Sequence, residues 1–178
     1  MAVVTFKGSK VETSGSIPEP GTQVPNLWVT GSDLTDVCLN TLTSNYLLIN
    51  IVPSLDTGVC AASVREFDER IGTVSDLSVC TVSKDLPFAL HRFMRDESII
   101  NIQLFSVLRD TSFGDILGVT LADGPLRGLL ARTVVILDNN SQVVFSYLVP
   151  DLSQEPDYDY IMTSFQSLLS NSKAQAAG

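Results

Sequence analysis

A cysteine, a threonine and a proline stand close together after an apolar run, and they are the residues best suited to chemistry. Residues 46–52 form that run, and Pro53 should end it as a strand because proline cannot donate a ladder hydrogen bond. Thr57 is of a type that caps helix N-termini, and apolar residues recur at helical spacing over the following turns. The sequence therefore predicts that Cys60 lies in the first turn of a helix that follows a buried strand.

The first turn of a helix favours a thiolate over a thiol. Its unpaired N–H groups and the positive end of the helix dipole stabilise an anion, and the thiolate is the nucleophilic form of cysteine. A fast enzyme would also need hydrogen-bond donors aimed at the atom on which negative charge develops. Cys60 is thus a candidate nucleophile, although a lone cysteine at such a position is more often an inert buried residue.

The residues around this cysteine resemble the active-site pattern of the peroxiredoxins, thiol enzymes that reduce peroxides. Pro53, Thr57 and Cys60 have the spacing Pro-x-x-x-Thr-x-x-Cys, and residues 53–65 resemble one branch, the bacterial thiol peroxidases. Three further stretches resemble the same branch: residues 85–89 (Asp-Leu-Pro-Phe-Ala), residues 124–132 (Gly-Pro-Leu-Arg-Gly-Leu-Leu-Ala-Arg) and residues 155–158 (Glu-Pro-Asp-Tyr). Four separated motifs in the expected order make the resemblance specific, and they cover nearly the whole chain.

The resemblance implies a thiol-dependent peroxidase whose nucleophile is Cys60. Its thiolate would attack one peroxide oxygen, the O–O bond would break, and a sulfenic acid would form on the sulfur. Thr57 would hydrogen-bond the thiolate or the peroxide, unless it serves only as a helix cap, and Pro53 would shield the thiolate from water. Arg132 matches the family's active-site arginine, and its guanidinium would stabilise negative charge. Sequence distance alone does not place Arg132 beside the cysteine, and a surface position at a strand start is the alternative.

One position departs from the thiol peroxidase pattern. These atypical two-cysteine peroxiredoxins usually carry a resolving cysteine after an Arg-Phe pair on their second helix, but here Met94 stands there and cannot form a disulfide. Cys80 should lie inside the neighbouring parallel strand, roughly 10 Å back from its end at ~3.3 Å per residue, and a disulfide needs Cα atoms about 4.4–6.8 Å apart. Cys38 has no sequence-derived position relative to Cys60. We therefore expect one-cysteine behaviour, in which an external thiol, such as that of a thioredoxin-like protein, reduces the sulfenic acid.

Length and composition limit the class of protein. The 178 residues fit one domain spanning 1–178, and a hydrophobic content of 44% is enough for a sizeable core. The net charge of −9 argues against a nucleic-acid or anionic-membrane partner, and no apolar run approaches the ~18–20 residues of a membrane span. Three cysteines, a start without signal features and no Cys/His cluster favour a cytoplasmic protein without a metal site. No cofactor is expected.

The hydrophobic periodicity predicts a mixed β-sheet flanked by helices. A β-hairpin is expected over residues 1–13 and a flexible tail over residues 171–178. Residues 46–82 should form one βαβ unit with parallel strands. Further strands are expected at residues 27–30, 37–39, 102–107, 133–137 and 143–147, and further helices at residues 87–95, 113–117 and 156–169. These elements are compatible with the thioredoxin-like α/β fold that the resemblance implies.

The resemblance also implies a homodimer, and two other functions stay open. Members of this branch associate through a face near the active-site loop, and residues 112–114 are the candidate contact here, although Phe113 could equally belong to the core. The first other function is a peroxide sensor that uses Cys60 stoichiometrically. The second is a thioredoxin-fold binding module in which that cysteine is vestigial. Steady peroxide consumption in excess thiol would exclude the sensor, and a sluggish reaction with peroxide would favour the module.

Overall fold

The structure is a computed structural model that describes residues 1–41, 45–71, 74 and 76–176, with side chains as far as residue 171. The strands in this part of the chain are β1 (Val3–Phe6), β2 (Ser9–Glu12), β3 (Trp28–Gly31), β4 (Asp36–Cys38), β5 (Tyr46–Ile51), β6 (Leu77–Ser83), β7 (Gln103–Ser106), β8 (Thr133–Asp138) and β9 (Val143–Leu148). The α-helices are α1 (Gly58–Ile71), α2 (Pro87–Asp96), α3 (Ser112–Ile116) and α4 (Tyr158–Ala176).

Strand β5 lies inside a mixed seven-stranded sheet with the order β4-β3-β7-β6-β5-β8-β9 among the described residues. It pairs parallel with β6, so the predicted βαβ unit is confirmed, and antiparallel with β8. Strands β1 and β2 form a separate antiparallel pair, which confirms the N-terminal hairpin. The sheet is mixed because α1 carries the chain back across it before β6, whereas a short turn joins β8 to β9.

The two faces of the sheet carry two hydrophobic clusters. Alternate residues of β5 point to opposite faces: Ile49 and Ile51 belong to the cluster that includes α3 and the N-terminal hairpin. Leu48 belongs to the other cluster, which α1, α2 and α4 cover. The sheet is therefore flanked by helices on both faces, as the sequence predicts.

The last helix differs from the prediction at both ends. Helix α4 begins at Tyr158, two residues after Pro156, and it continues to Ala176, through most of the predicted tail. The sequence prediction ends this helix at residue 169, and the helix runs further because the run Ser-Lys-Ala-Gln-Ala contains no breaker and includes good helix formers. Residues 177–178 of the predicted tail lie outside the described residues. None of the described helices is long and apolar enough to cross a membrane.

Candidate active site

The junction of β5 and α1 holds Cys60. Pro53 follows the strand and is buried, and α1 begins at Gly58, so the cysteine lies in the first turn as predicted. The Cys60 N–H donates to Oγ1 of Thr57 at 3.4 Å, and the Thr57 hydroxyl donates to the carbonyl of Ser54 at 3.2 Å. Thr57 therefore caps the helix, which is one of the two roles that the sequence leaves open for it.

Strand register brings Arg132 to the same place. Ile51, the last residue of β5, is paired with Thr133, the first residue of antiparallel β8. Arg132 directly precedes Thr133, so it lies at the end of β5 from which the chain enters α1. Its Nη2 donates to Sγ of Cys60 at 3.4 Å, and the residue is only 1% exposed. The alternative of a surface arginine is therefore wrong.

Two donor atoms of this guanidinium have no partner among the described residues. Nη2 also donates to the carbonyl of Leu152 at 3.1 Å, whereas Nε and Nη1 of Arg132 are buried and unpaired among the residues described. Leaving a buried charged donor unpaired costs about 1–3 kcal/mol or more, and an arginine cannot lose its proton in response. The site therefore offers an anion or a polar oxygen two donors beside the sulfur.

The sulfur is covered in this conformation. Cys60 is 0% exposed and packs with Leu48, Val64 and Phe67 in the cluster beneath α1. A cleft of about 410 Å³ lies between α1 and α2, and Thr57 and Gly58 form part of its wall. Because Cys60 has no exposed surface in this structure, a peroxide can reach the sulfur only after a local rearrangement.

Comparison with known proteins identifies the family of this chain. Residues 19–162 match the Redoxin family. The chain is 45% identical over 159 residues to the thiol peroxidase of Mycobacterium tuberculosis. This alignment covers 89% of this chain and 95% of the relative. The chain belongs to the thiol peroxidase family. The thiol peroxidase of Corynebacterium glutamicum is 42% identical, with 89% of this chain and 96% of the relative covered.

Solved structures agree with the fold of this family member. A peroxiredoxin-like protein from Aquifex aeolicus superposes with a TM-score of 0.88 at 33% identity, covering 94% of this chain and 98% of that chain. The thiol peroxidase from Chromobacterium violaceum superposes with a TM-score of 0.86 at 22% identity, covering 97% and 98%. The second likeness shows the fold alone, and both superpositions include nearly the entire chain.

The other two cysteines lie away from the first one. Cys80 pairs with Ile49 and belongs to the cluster on the opposite face of the sheet from Cys60. It is completely buried, which raises the pKa of its thiol. Cys38 lies on β4, four strands from β5, about 19 Å away at ~4.8 Å per strand. All three cysteines are free in the structure.

Met94 and residues 112–114 lie on two different helices, α2 and α3. Met94 lies on α2, half-buried against the cluster that contains Cys60. Phe113 is fully buried, so it belongs to the core and is not an exposed contact. Two large apolar side chains are exposed at the start of α2: Leu86 is 51% exposed and Phe88 is 67% exposed. No group of three or more possible metal ligands occurs among the described residues.

Sequence reasoning missed two supports of the site. Asn50 is the one polar residue in the apolar run of β5, and its Nδ2 donates to Ser63 Oγ at 3.4 Å. Ser63 in turn donates to the carbonyl of Cys60 at 2.9 Å. A lone polar residue in a buried strand was the available signal, because such groups need partners.

The second support is the carbonyl of Leu152, which accepts from Arg132. The N-terminal hairpin holds this segment: the N–H of Thr5 donates to the carbonyl of Pro150, and the N–H of Leu152 donates to the carbonyl of Thr5, both at 2.8 Å. Backbone groups carry these contacts, so no side-chain pattern in the sequence could reveal them.

Proposed function

We propose that this chain reduces hydrogen peroxide or organic hydroperoxides with Cys60 as the nucleophile. The thiolate attacks the terminal oxygen of the peroxide, the O–O bond breaks, and the leaving alkoxide or hydroxide takes up a proton. The sulfur gains the oxygen and becomes a sulfenic acid. This proposal rests on the position of the Arg132 guanidinium, which is buried at 3.4 Å from the sulfur and has two further donors without a partner in the described part of the chain.

In this mechanism Arg132 stabilises charge before and during the reaction. Nη2 contacts Sγ, so a positive charge already lies beside the attacking sulfur. The unpaired Nε and Nη1 can donate to the peroxide oxygens as negative charge moves onto the leaving oxygen. A guanidinium suits this role because it stays charged and does not compete as a base.

Thr57 and Pro53 have supporting roles in the proposal. Thr57 releases its hydroxyl from the cap when the first turn is displaced, and the hydroxyl then donates to the peroxide. Pro53 is buried and excludes water from the junction, and this exclusion strengthens the polar contacts in the site.

We propose that an external thiol completes the cycle. One thiol attacks the sulfenic sulfur, releases water and forms a mixed disulfide, and a second thiol then releases Cys60 as a thiol. The support is that Met94 has no thiol, Cys80 faces the other side of the sheet, and Cys38 lies four strands away. The thiol source is a small thiol or a thioredoxin-like protein in a reducing cytoplasm.

We further propose that the chain acts as one domain and forms a homodimer. The exposed Leu86 and Phe88 at the start of α2 support an association near the active site, because large exposed apolar side chains mark contact surfaces. Size-exclusion chromatography with light scattering tests this proposal. A protein that stays monomeric even at high concentration would contradict it.

The experiment that tests the function is peroxide consumption by reduced protein in excess thiol. Wild type should consume many equivalents of hydrogen peroxide and of an alkyl hydroperoxide, whereas Cys60→Ser should consume none. Cys38→Ala is the matched control and should react like wild type. Consumption that stops after one equivalent would indicate the stoichiometric sensor, which the family match does not favour.

A further inference from the structure

The carboxylate of Asp85 joins two connections at the carboxyl ends of neighbouring strands. Its Oδ1 accepts from the hydroxyl of Ser54 at 2.7 Å, and its Oδ2 accepts from the N–H of Leu55 at 2.7 Å. Both donors belong to the loop between β5 and α1. Oδ2 also accepts from the hydroxyl of Ser83, at the end of β6, at 2.8 Å. One side chain thus ties the β6–α2 connection to the loop that leads to Cys60.

From this carboxylate a chain of hydrogen bonds leads to the nucleophile. Ser54, held by Asp85, accepts the N–H and the hydroxyl of Thr57 at its carbonyl, each at 3.2 Å. Thr57 in turn accepts the N–H of Cys60 at 3.4 Å. Movement of the carboxylate would therefore move the cap of α1 and the first turn that carries the sulfur.

We propose that Asp85 is a positioning residue for the peroxidase reaction. It fixes residues 53–57 so that the first turn of α1 holds Cys60 against Arg132 and returns there after each displacement. It contacts neither the sulfur nor the peroxide. The inference rests on the proposed function, and it gives a physical role to the motif over residues 85–89, whose proline begins α2.

The reason that positioning matters is geometric. Attack on a peroxide requires the sulfur, the O–O bond and the guanidinium donors to align, and a misplacement of about 1 Å can cost about 10²-fold in rate. Hydrogen bonds to an ionised acceptor are shorter and stronger than those between neutral groups. A carboxylate with three donors therefore restrains the loop better than an amide, which has one acceptor oxygen and two N–H groups.

Asp85→Asn tests the proposal with two reagents. The rate constant of the reduced variant with hydrogen peroxide should fall roughly 10- to 100-fold, because alignment is lost. Its rate constant with iodoacetamide should change less than about threefold, because alkylation requires no alignment with Arg132. If the ratio of the two rate constants stays at the wild-type value, whether or not both rate constants fall, the proposal is overturned.

Asp68→Asn is the matched control. The Asp68 carboxylate accepts three backbone donors, the N–H groups of Ile100, Asn101 and Ile102, between 2.7 and 3.2 Å, and the side-chain amide of Asn101 at 3.5 Å. These donors precede β7 and none belongs to the active-site loop. Asp68→Asn should lower the free energy of unfolding and leave the ratio of the two rate constants unchanged. An equal drop in that ratio would mean that Asp85 has only a structural role.

Ser54→Ala tests the route of the effect and keeps the test valid if Asp85→Asn does not fold. It removes one donor to the carboxylate and leaves the other two. It should slow the peroxide reaction selectively, and combined with Asp85→Asn it should add little further loss. A wild-type rate in Ser54→Ala, or additive losses in the double variant, would overturn the proposal. A wild type that fails to reduce peroxide would instead overturn the proposed function.

Discussion

Arg132 illustrates how a single residue can be kept for chemistry at a cost in stability. Its charge is buried, and two of its donors are unpaired among the described residues. Burial of an ion is unfavourable unless good partners replace water. The guanidinium is therefore expected to reach its best hydrogen bonding only when the thiolate and a peroxide are present.

Arg132→Met should separate activity from stability. Removing a donor of this kind typically costs about 10²–10³ in rate, whereas a well-packed apolar side chain in place of a buried ion is often neutral or stabilising by about 1–4 kcal/mol. Stopped-flow kinetics with hydrogen peroxide and urea unfolding measure the two effects. A large decrease in the free energy of unfolding, together with the loss of rate, would mean that Arg132 serves mainly the fold.

Cys80 makes a different prediction, on pH. Burial raises the pKa of its thiol in the folded state above the unfolded value of about 8.5. Its contribution to stability is therefore complete below that value and is lost as pH rises, because the unfolded chain releases a proton that the folded chain retains.

The corresponding measurement compares the free energies of unfolding of wild type and Cys80→Val, obtained by urea unfolding at two pH values. Between about pH 8.5 and 9.5, wild type should lose about 1 kcal/mol more of its free energy of unfolding than the variant does. Equal losses in the two proteins would show that the Cys80 thiol titrates alike in the folded and unfolded states.

At the scale of elements, buried polar side chains of β5, β6 and α1 stabilise the β5–α1 junction. Asn50 on β5 donates to Ser63 and, at 3.1 Å, to Thr81 on β6, and Ser63 donates to the carbonyl of Cys60. This buried set links two strands to the first turn of α1. Its partners are close to one another, so the loss of any one leaves another polar group unpaired.

Ser63→Ala should therefore destabilise the protein by about 1–3 kcal/mol, the cost of leaving a buried polar group without its partner. Ser167→Ala is the control: Ser167 makes a similar bond to the carbonyl of Thr163, but on the exposed side of α4, and its loss should change stability by at most ~0.5 kcal/mol. Chemical denaturation measures both values. Equal effects would mean that the Asn50 set does not support the junction.

Local sequence signals were enough to predict the elements of this junction. Proline after an apolar run, a capping threonine and an apolar helical stripe all lie within about 25 residues of one another, and each reports local physics. The end of α4 was missed because a polar run without breakers fits both a tail and a helix. The Asp85 carboxylate was recognised only as part of a motif, because its two donors in the active-site loop, Ser54 and Leu55, lie about 30 residues earlier in the chain.

At the scale of the whole molecule, the site brings together segments that are far apart in sequence. Arg132 contacts a sulfur 72 residues away, and the antiparallel register of β5 and β8 makes that possible. The N-terminal hairpin holds the segment whose Leu152 carbonyl fixes the same guanidinium. Such pairings depend on the strand order, which periodicity does not reveal, so only the family resemblance could point to Arg132.

The arrangement of the whole molecule also explains why we do not expect oxidised Cys60 to form a disulfide with another cysteine of the same chain. The sheet separates Cys60 from Cys80, and position 94 on α2 carries a methionine. Met94→Cys should restore a peroxide-induced disulfide with Cys60 and support turnover with a thioredoxin-type reductant, after local opening of α1 and α2. Non-reducing peptide mass spectrometry detects the bond, and Cys60→Ser in the same background is the control. No disulfide in the variant would mean that the two helices do not open.

The most direct test of the account is the intact mass of reduced wild-type protein after one equivalent of hydrogen peroxide, with dimedone present to trap sulfenic acid. We expect stoichiometric peroxide loss and one dimedone adduct, located on Cys60, with no disulfide to Cys38 or Cys80. An intrachain disulfide at Cys60, or equal peroxide loss in Cys60→Ser, would contradict the account.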